Sequence, residues 1–252
     1  MLRFLLIALL ALPLCAQDAL TKKPVDVFPL HAGNRWVLRN QATGATTTFE
    51  IAGRASFGCQ RGLYDLHITK SDAANYWSPG EPAEIHYYLR VMPDGAIASP
   101  GAWSWNYRDR RPAYTINTRA EKAGDPPSNL ILKPGASDGE VVRTHSTYFY
   151  AAKVHDAHCL KADPPRVARW ARSTWTTKFT IENVETPAYT GRALCARFSE
   201  GTDETENNAE QWCFALDKKI GLVQLTNIHH HYMHITFDNP PMVLKLEKYT
   251  LK

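Results

Sequence analysis

Arg192-Ala193-Leu194-Cys195-Ala196-Arg197-Phe198 and, beyond a polar stretch centred near Glu204, Gln211-Trp212-Cys213-Phe214-Ala215-Leu216 decide how this chain folds. Each is a short apolar run with aromatic residues, bounded by polar turn-formers, which is the pattern of a strand and not of an amphipathic helix. Folding the pair as an antiparallel hairpin about Glu204 sets Cys195 directly opposite Cys213. Cross-strand neighbours of that kind lie within the Cβ separation that a disulfide requires.

The same alternation of extended runs and turn signals continues outward on both sides. Trp36 to Asn40 and Thr46 to Ile51 flank Ala42-Thr43-Gly44. Arg61 to Thr69 forms another run, and Ile85 to Val91 and Ala96 to Ala98 flank Pro93-Asp94-Gly95. In that turn the proline presets one backbone angle and the glycine accepts a positive φ. Val141 to Ala151, Thr174 to Val184, Leu222 to Ile228, His230 to Phe237 and Val243 to Leu251 complete the set. Asp163-Pro164-Pro165 can open a short helix through Arg172 or feed an extended segment. Glu121 to Asp138, rich in Pro, Gly, Asp and Ser, is expected as a long surface connection. The prediction is an all-β protein: a strongly curved antiparallel sheet or half-barrel with few short helices.

At the beginning of the chain, Arg3 precedes an apolar run from Phe4 to Leu12, then Pro13 and an exit ending at Ala16. A charged start, an apolar stretch too short to span a bilayer and a small exit residue predict a secretory signal peptide over 1–16. Lipidation at Cys15 is the rival, but Leu14 stands where lipoproteins carry a small residue. A single exported β domain over 17–252 is then expected, periplasmic or secreted. Of 252 residues 236 remain after cleavage, enough for one substantial core, and the formal charge falls from +4 to +3 with the loss of Arg3. So slight a charge predicts no nucleic-acid partner, and no second apolar segment approaches transmembrane length. Four cysteines remain, an even number suited to an oxidising compartment. With Cys195 paired to Cys213, Cys59 and Cys159 pair by elimination.

Phe28-Pro29-Leu30-His31-Ala32-Gly33-Asn34-Arg35-Trp36-Val37, Glu185-Thr186-Pro187-Ala188-Tyr189-Thr190-Gly191 leading into Leu194-Cys195, and Gln211-Trp212-Cys213-Phe214 followed by Ile220-Gly221-Leu222-Val223 resemble phrases of a loosely defined group of exported bacterial proteins. Tyr189 departs from that pattern at a place usually held by glycine, as does Asp217-Lys218-Lys219 before the glycine turn. Members of the group resemble the periplasmic half-barrels of lipoprotein carriers, so the resemblance implies a curved sheet. It carries over no catalytic residue.

Four features bear on chemistry. His229-His230-His231 and His234 would alternate faces along one strand, leaving His230 and His234 about 13 Å apart and His229 and His231 about 7 Å apart. Without a partner of recognised ligand spacing, no metal centre is expected there, and no other cofactor. Glu200, Asp203, Glu204, Glu206 and Glu210 lack the spacing of a calcium loop and are read as a solvated hairpin tip. Trp103, Trp105 and Tyr107 alternate with polar residues and meet Arg108, Arg110 and Arg111, an arrangement that can stack ligands. Trp77, Trp103, Trp105 and Arg108 are therefore the candidate ligand-binding residues. No nucleophile elbow, phosphate loop, His-Glu-x-x-His or Cys-x-x-Cys is present, so no catalytic residue is assigned. The expected function is non-enzymatic binding of an apolar or amphipathic ligand, or of an envelope protein, on the concave face of the sheet. A hydrolase of envelope or extracellular polymers and a purely structural envelope component are the alternatives.

Overall fold

A computed structural model describes residues 27–57, 60–70, 83–106, 111–120, 130–133, 135–151, 169–200, 208–229, 231–232, 235–236 and 242–252. The expected signal peptide over 1–16, Cys59, Cys159, Trp77, Arg108, residues 163–168, residues 201–207, His230 and His234 lie outside the described residues.

Among the described residues fifteen strands follow one another: β1 Arg35–Asn40, β2 Thr46–Phe57, β3 Gln60–Lys70, β4 Ala83–Val91, β5 Ile97–Asn106, β6 Arg111–Ala120, β7 Leu130–Leu132, β8 Val141–Ala151, β9 Arg169–Thr186, β10 Tyr189–Glu200, β11 Asn208–Ala215, β12 Leu222–His229, β13 His231–Tyr232, β14 Ile235–Thr236 and β15 Met242–Thr250. Thirteen belong to one sheet, in the order β4-β3-β2-β1-β15-β12-β11-β10-β9-β8-β6-β5-β7, with a further β4–β5 pairing. Apart from the small appended β7, the order is an up-and-down meander in which each strand lies beside its neighbour in the chain. The β4–β5 ladder joins one end of the order to the other, so the expected curvature continues past a half-barrel until the sheet meets itself. All pairings around this ring are antiparallel. Curling a long sheet until its edges pair removes the exposed backbone that would otherwise recruit another chain.

Because directly opposed residues share a face, the register traces the inner surface around the ring. Trp36 opposes Phe49, Phe49 opposes Ile68, Ile68 opposes Ile85, and Leu66 opposes Tyr87. On the far wall Phe179 opposes Ala196, Ala196 opposes Trp212, Trp212 opposes Leu225, and Leu225 opposes Leu244. Trp36, Phe49, Ile68, Ile85, Phe179, Ala196, Trp212, Leu225 and Leu244 are buried. The two walls touch where Trp212 meets Phe49 and Tyr87, each with ring centroids 5.9 Å apart in edge-on geometry. Edge-on aromatic pairs are the favoured arrangement and add to the area they bury.

The opening phrase of the chain closes one side of this core. Phe28 packs its ring 5.1 Å from Trp36 and 5.0 Å from Phe214. Asn34 is fully buried: its side-chain amide donates to the Pro29 carbonyl at 2.8 Å, and its side-chain oxygen accepts from the Lys252 backbone amide at 2.8 Å. Trp36 donates its indole N–H to the Ile220 carbonyl, beside Gly221. The Gly-Asn-x-Trp run is thus a clamp joining the entry segment to the residues that follow β15 and to the turn between β11 and β12.

The β10–β11 hairpin has the predicted register. Cys195 opposes Cys213, and the two form a disulfide with Cα atoms 4.0 Å apart, both cysteines buried. The Pro93-Asp94-Gly95 turn is also as expected, with Gly95 at φ 85° and the Ala96 amide donating to Asp94 Oδ1 at 3.0 Å.

Two expectations need correction. The stretch from Glu121 to Asp138 is not wholly a surface connection: Leu130, Ile131 and Leu132 are buried as β7, which pairs with β5 and packs against β10. His230 to Phe237 is not one strand, because His231 and Tyr232 pair back onto Thr236 and Ile235 and the chain reverses between them. Arg111 to Ala120 forms β6, which its sparse apolar content does not announce, and residues from Arg169 onward are strand, the extended alternative of the two considered.

Candidate functional site

The face of the sheet opposite the core carries a cluster of ionisable residues on β3 and β4. Along β3, Leu66 and Ile68 turn inward, so Asp65, His67 and Thr69 share the outer face; along β4, Ile85 and Leu89 turn inward, and Glu84, His86 and Tyr88 share it. Register brings the two sets together, because His67 lies directly opposite His86, Thr69 opposite Glu84, and Asp65 opposite Tyr88. Beside them Phe57, Leu63 and Tyr88 form a separate buried apolar patch, with Phe57 and Tyr88 stacked at 4.2 Å. This patch gives the outer face a solid floor next to the charges.

The side chains converge. His86 Nδ1 lies 2.8 Å from Asp65 Oδ1 and 2.9 Å from Oδ2, while His86 Nε2 lies 3.2 Å from Glu84 Oε1. His67 Nε2 approaches the same Glu84 oxygen to 2.9 Å. The two imidazoles stack with centroids 4.5 Å apart and planes 13° from parallel. Exposure falls from 30% at His67 and 24% at Glu84 to 19% at Asp65 and 13% at His86, so the cluster is sheltered without being sealed. Burial of His86 opposes its charge, but the hydrogen bond and negative charge of Asp65, with those of Glu84 behind them, outweigh it and raise its pKa above that of an ordinary histidine.

Two of the ligand-lining candidates stand next to this cluster in the register: Trp103 lies opposite His86 on β5, and Trp105 opposite Glu84. Trp77 and Arg108 fall outside the described residues. Asp65, His67, Glu84 and His86 are not among the residues singled out from sequence. The signal that could have found them is an acid-x-His pattern occurring twice, Asp65-Leu66-His67 and Glu84-Ile85-His86. Each puts a carboxylate and an imidazole on one face of a strand, but only the register shows that the two faces are one.

A second group, Glu182 with Cys195 and Cys213, also brings potential donor atoms together. Its sulfurs are joined in the disulfide and hold no thiolate, the form that binds metal. Glu182 instead accepts hydrogen bonds from Thr180 at 2.6 Å and Gln211 at 2.7 Å. A cleft of about 310 Å³ at the end of β2 and β3 is lined by Leu30, His31, Ala32, Gly53, Arg54 and Tyr64. There Arg54 sits 3.8 Å over the Tyr64 ring and donates to the Gly62 carbonyl. No family model matches the chain, and neither curated proteins nor solved structures provide a match.

Proposed function

We propose that this chain is an exported, non-catalytic binding protein of the bacterial envelope that holds an apolar or amphipathic ligand against the inner face of its curled sheet. The observation that carries the reading is the number of strands around the ring. Eight strands already enclose an interior that side chains can fill or that one small ligand can occupy, and this ring has twelve once β7 is set aside. Where Tyr87 meets Trp212 the opposing walls touch, and the apolar core draws residues from β1 to β5, β7, β9 to β12 and β15.

The buried Cys195–Cys213 disulfide supports the exported setting, since such bonds persist where thiols are not kept reduced. The resemblance of the opening and closing phrases to exported half-barrel carriers is in keeping with it. The test is native mass spectrometry of the protein isolated from its own host's envelope, followed by fluorescence titration with fatty acids and lysophospholipids. A retained mass that is released by organic solvent, and tryptophan emission that saturates on titration, are the expected results. Bare protein mass together with emission indifferent to every amphiphile would overturn the reading.

A further inference from the structure

The geometry points to a divalent transition-metal site on the outer face of β3 and β4, with His67 Nε2, His86 Nε2 and one Glu84 oxygen as ligands and Asp65 as the residue that positions His86. These three donor groups offer atoms that all lie within 4.8 Å of one another, and two of the separations are 2.9 and 3.2 Å. Ligands bound at the usual zinc distances of about 2.0–2.1 Å stand roughly 3.3 Å apart at the corners of a tetrahedron. The donors are therefore already spaced like the edges of a coordination shell, and small side-chain rotations would admit an ion between them.

Two further features distinguish this arrangement from a chance meeting of surface charges. Both Asp65 oxygens face His86 Nδ1, which keeps a proton on that nitrogen and leaves the Nε2 lone pair for a metal. A carboxylate behind a ligating histidine is the usual support in such sites, fixing the tautomer and the ring. All the ligands also project from paired strands instead of loops. The opposed register of His67 and His86 and the near-parallel stacking of their rings hold both Nε2 atoms beside the same carboxylate. Two imidazoles with one carboxylate select zinc, copper, nickel or cobalt over calcium or magnesium, which prefer oxygen alone. Bound there, the ion would tie β3 to β4 next to the β4–β5 ladder that closes the ring.

The alternative holder of the same ions is the histidine run from His229 to His234, and the experiment separates the two. The full chain, stripped with chelator, is titrated with zinc by calorimetry and thermal melting, and with cobalt by visible absorption. One equivalent of zinc should bind and raise the melting temperature, and cobalt should give the d–d bands of a four- or five-coordinate nitrogen and oxygen site. His67→Gln and Glu84→Gln should abolish the cobalt bands, Asp65→Asn should weaken binding by about 10–100-fold, and His231→Gln should leave the bands and affinity unchanged. Circular dichroism of each variant checks that it is folded, and the wild-type cobalt spectrum stands without any variant. No binding of zinc, copper, nickel or cobalt tighter than about 0.1 mM, or binding that survives His67→Gln and is lost with His231→Gln, would overturn the assignment.

Discussion

Gly221 shows how much one atom can matter in this molecule. It has φ 84°, and a Cβ placed on it would come within 2.8 Å of Trp36 Cζ2, in the ring whose N–H reaches the Ile220 carbonyl. Alanine at 221 would meet backbone strain and a displaced indole together. We expect Gly221→Ala to destabilise the fold by about 2–4 kcal/mol in urea denaturation; a change under about 0.5 kcal/mol, the range of ordinary surface substitutions, would mean that Trp36 is not held as described. The same scale explains why the His67 and His86 cluster is hard to read from sequence. A histidine next to isoleucine or leucine on a strand is an ordinary half-buried residue until the register shows another histidine opposite.

The hairpin of β10 and β11 was legible because both of its strands carry short apolar runs, and the polar stretch between them left one sensible symmetry. Its disulfide, with a sequence separation of 18, restrains the unfolded chain. Replacing both Cys195 and Cys213 with alanine should lower stability by about 3 kcal/mol, and a non-reduced digest should yield the two strands as one cross-linked peptide. Free thiols at both positions in protein from its host would contradict the pairing. β7 and β6 were not legible for opposite reasons. Leu130-Ile131-Leu132 is too short a run to stand out among prolines and glycines. It is held in place by the segment that follows, where the Gly139 amide donates to the Phe179 carbonyl at 2.8 Å and the Ile181 amide to Asp138 at 2.9 Å. β6 has only Ile116 and Tyr114 to mark it, and its pairing with β5 and β8 supplies what its own pattern lacks. The reversal after Tyr232 was hidden in the same way, since alternation describes a straight strand and a tight hairpin equally well.

At the scale of the whole molecule, the meander and its curvature could be expected from sequence, but closure could not. Each hairpin, β4–β5 included, is encoded by neighbouring residues, whereas the β1–β15 pairing that completes the ring joins distant parts of the chain. A ring without a free edge makes a specific demand on backbone protection. Amides of Ile85, His86 and Tyr87 should exchange as slowly as those of Leu194 to Ala196 within the sheet, as hydrogen exchange read by mass spectrometry can measure. Exchange in β4 at the rate of an unpaired strand would mean that the sheet stops short of meeting itself.

The seam between β1 and β15 also sets a timetable. Trp36 cannot find Tyr249, nor Leu38 find Leu246, until every strand between β1 and β15 has been made. Local hairpins can form early, but the enclosure waits for the most distant partners, whose meeting carries the largest cost in chain entropy. A sheet wired in this way stays open until β15 is available to meet β1.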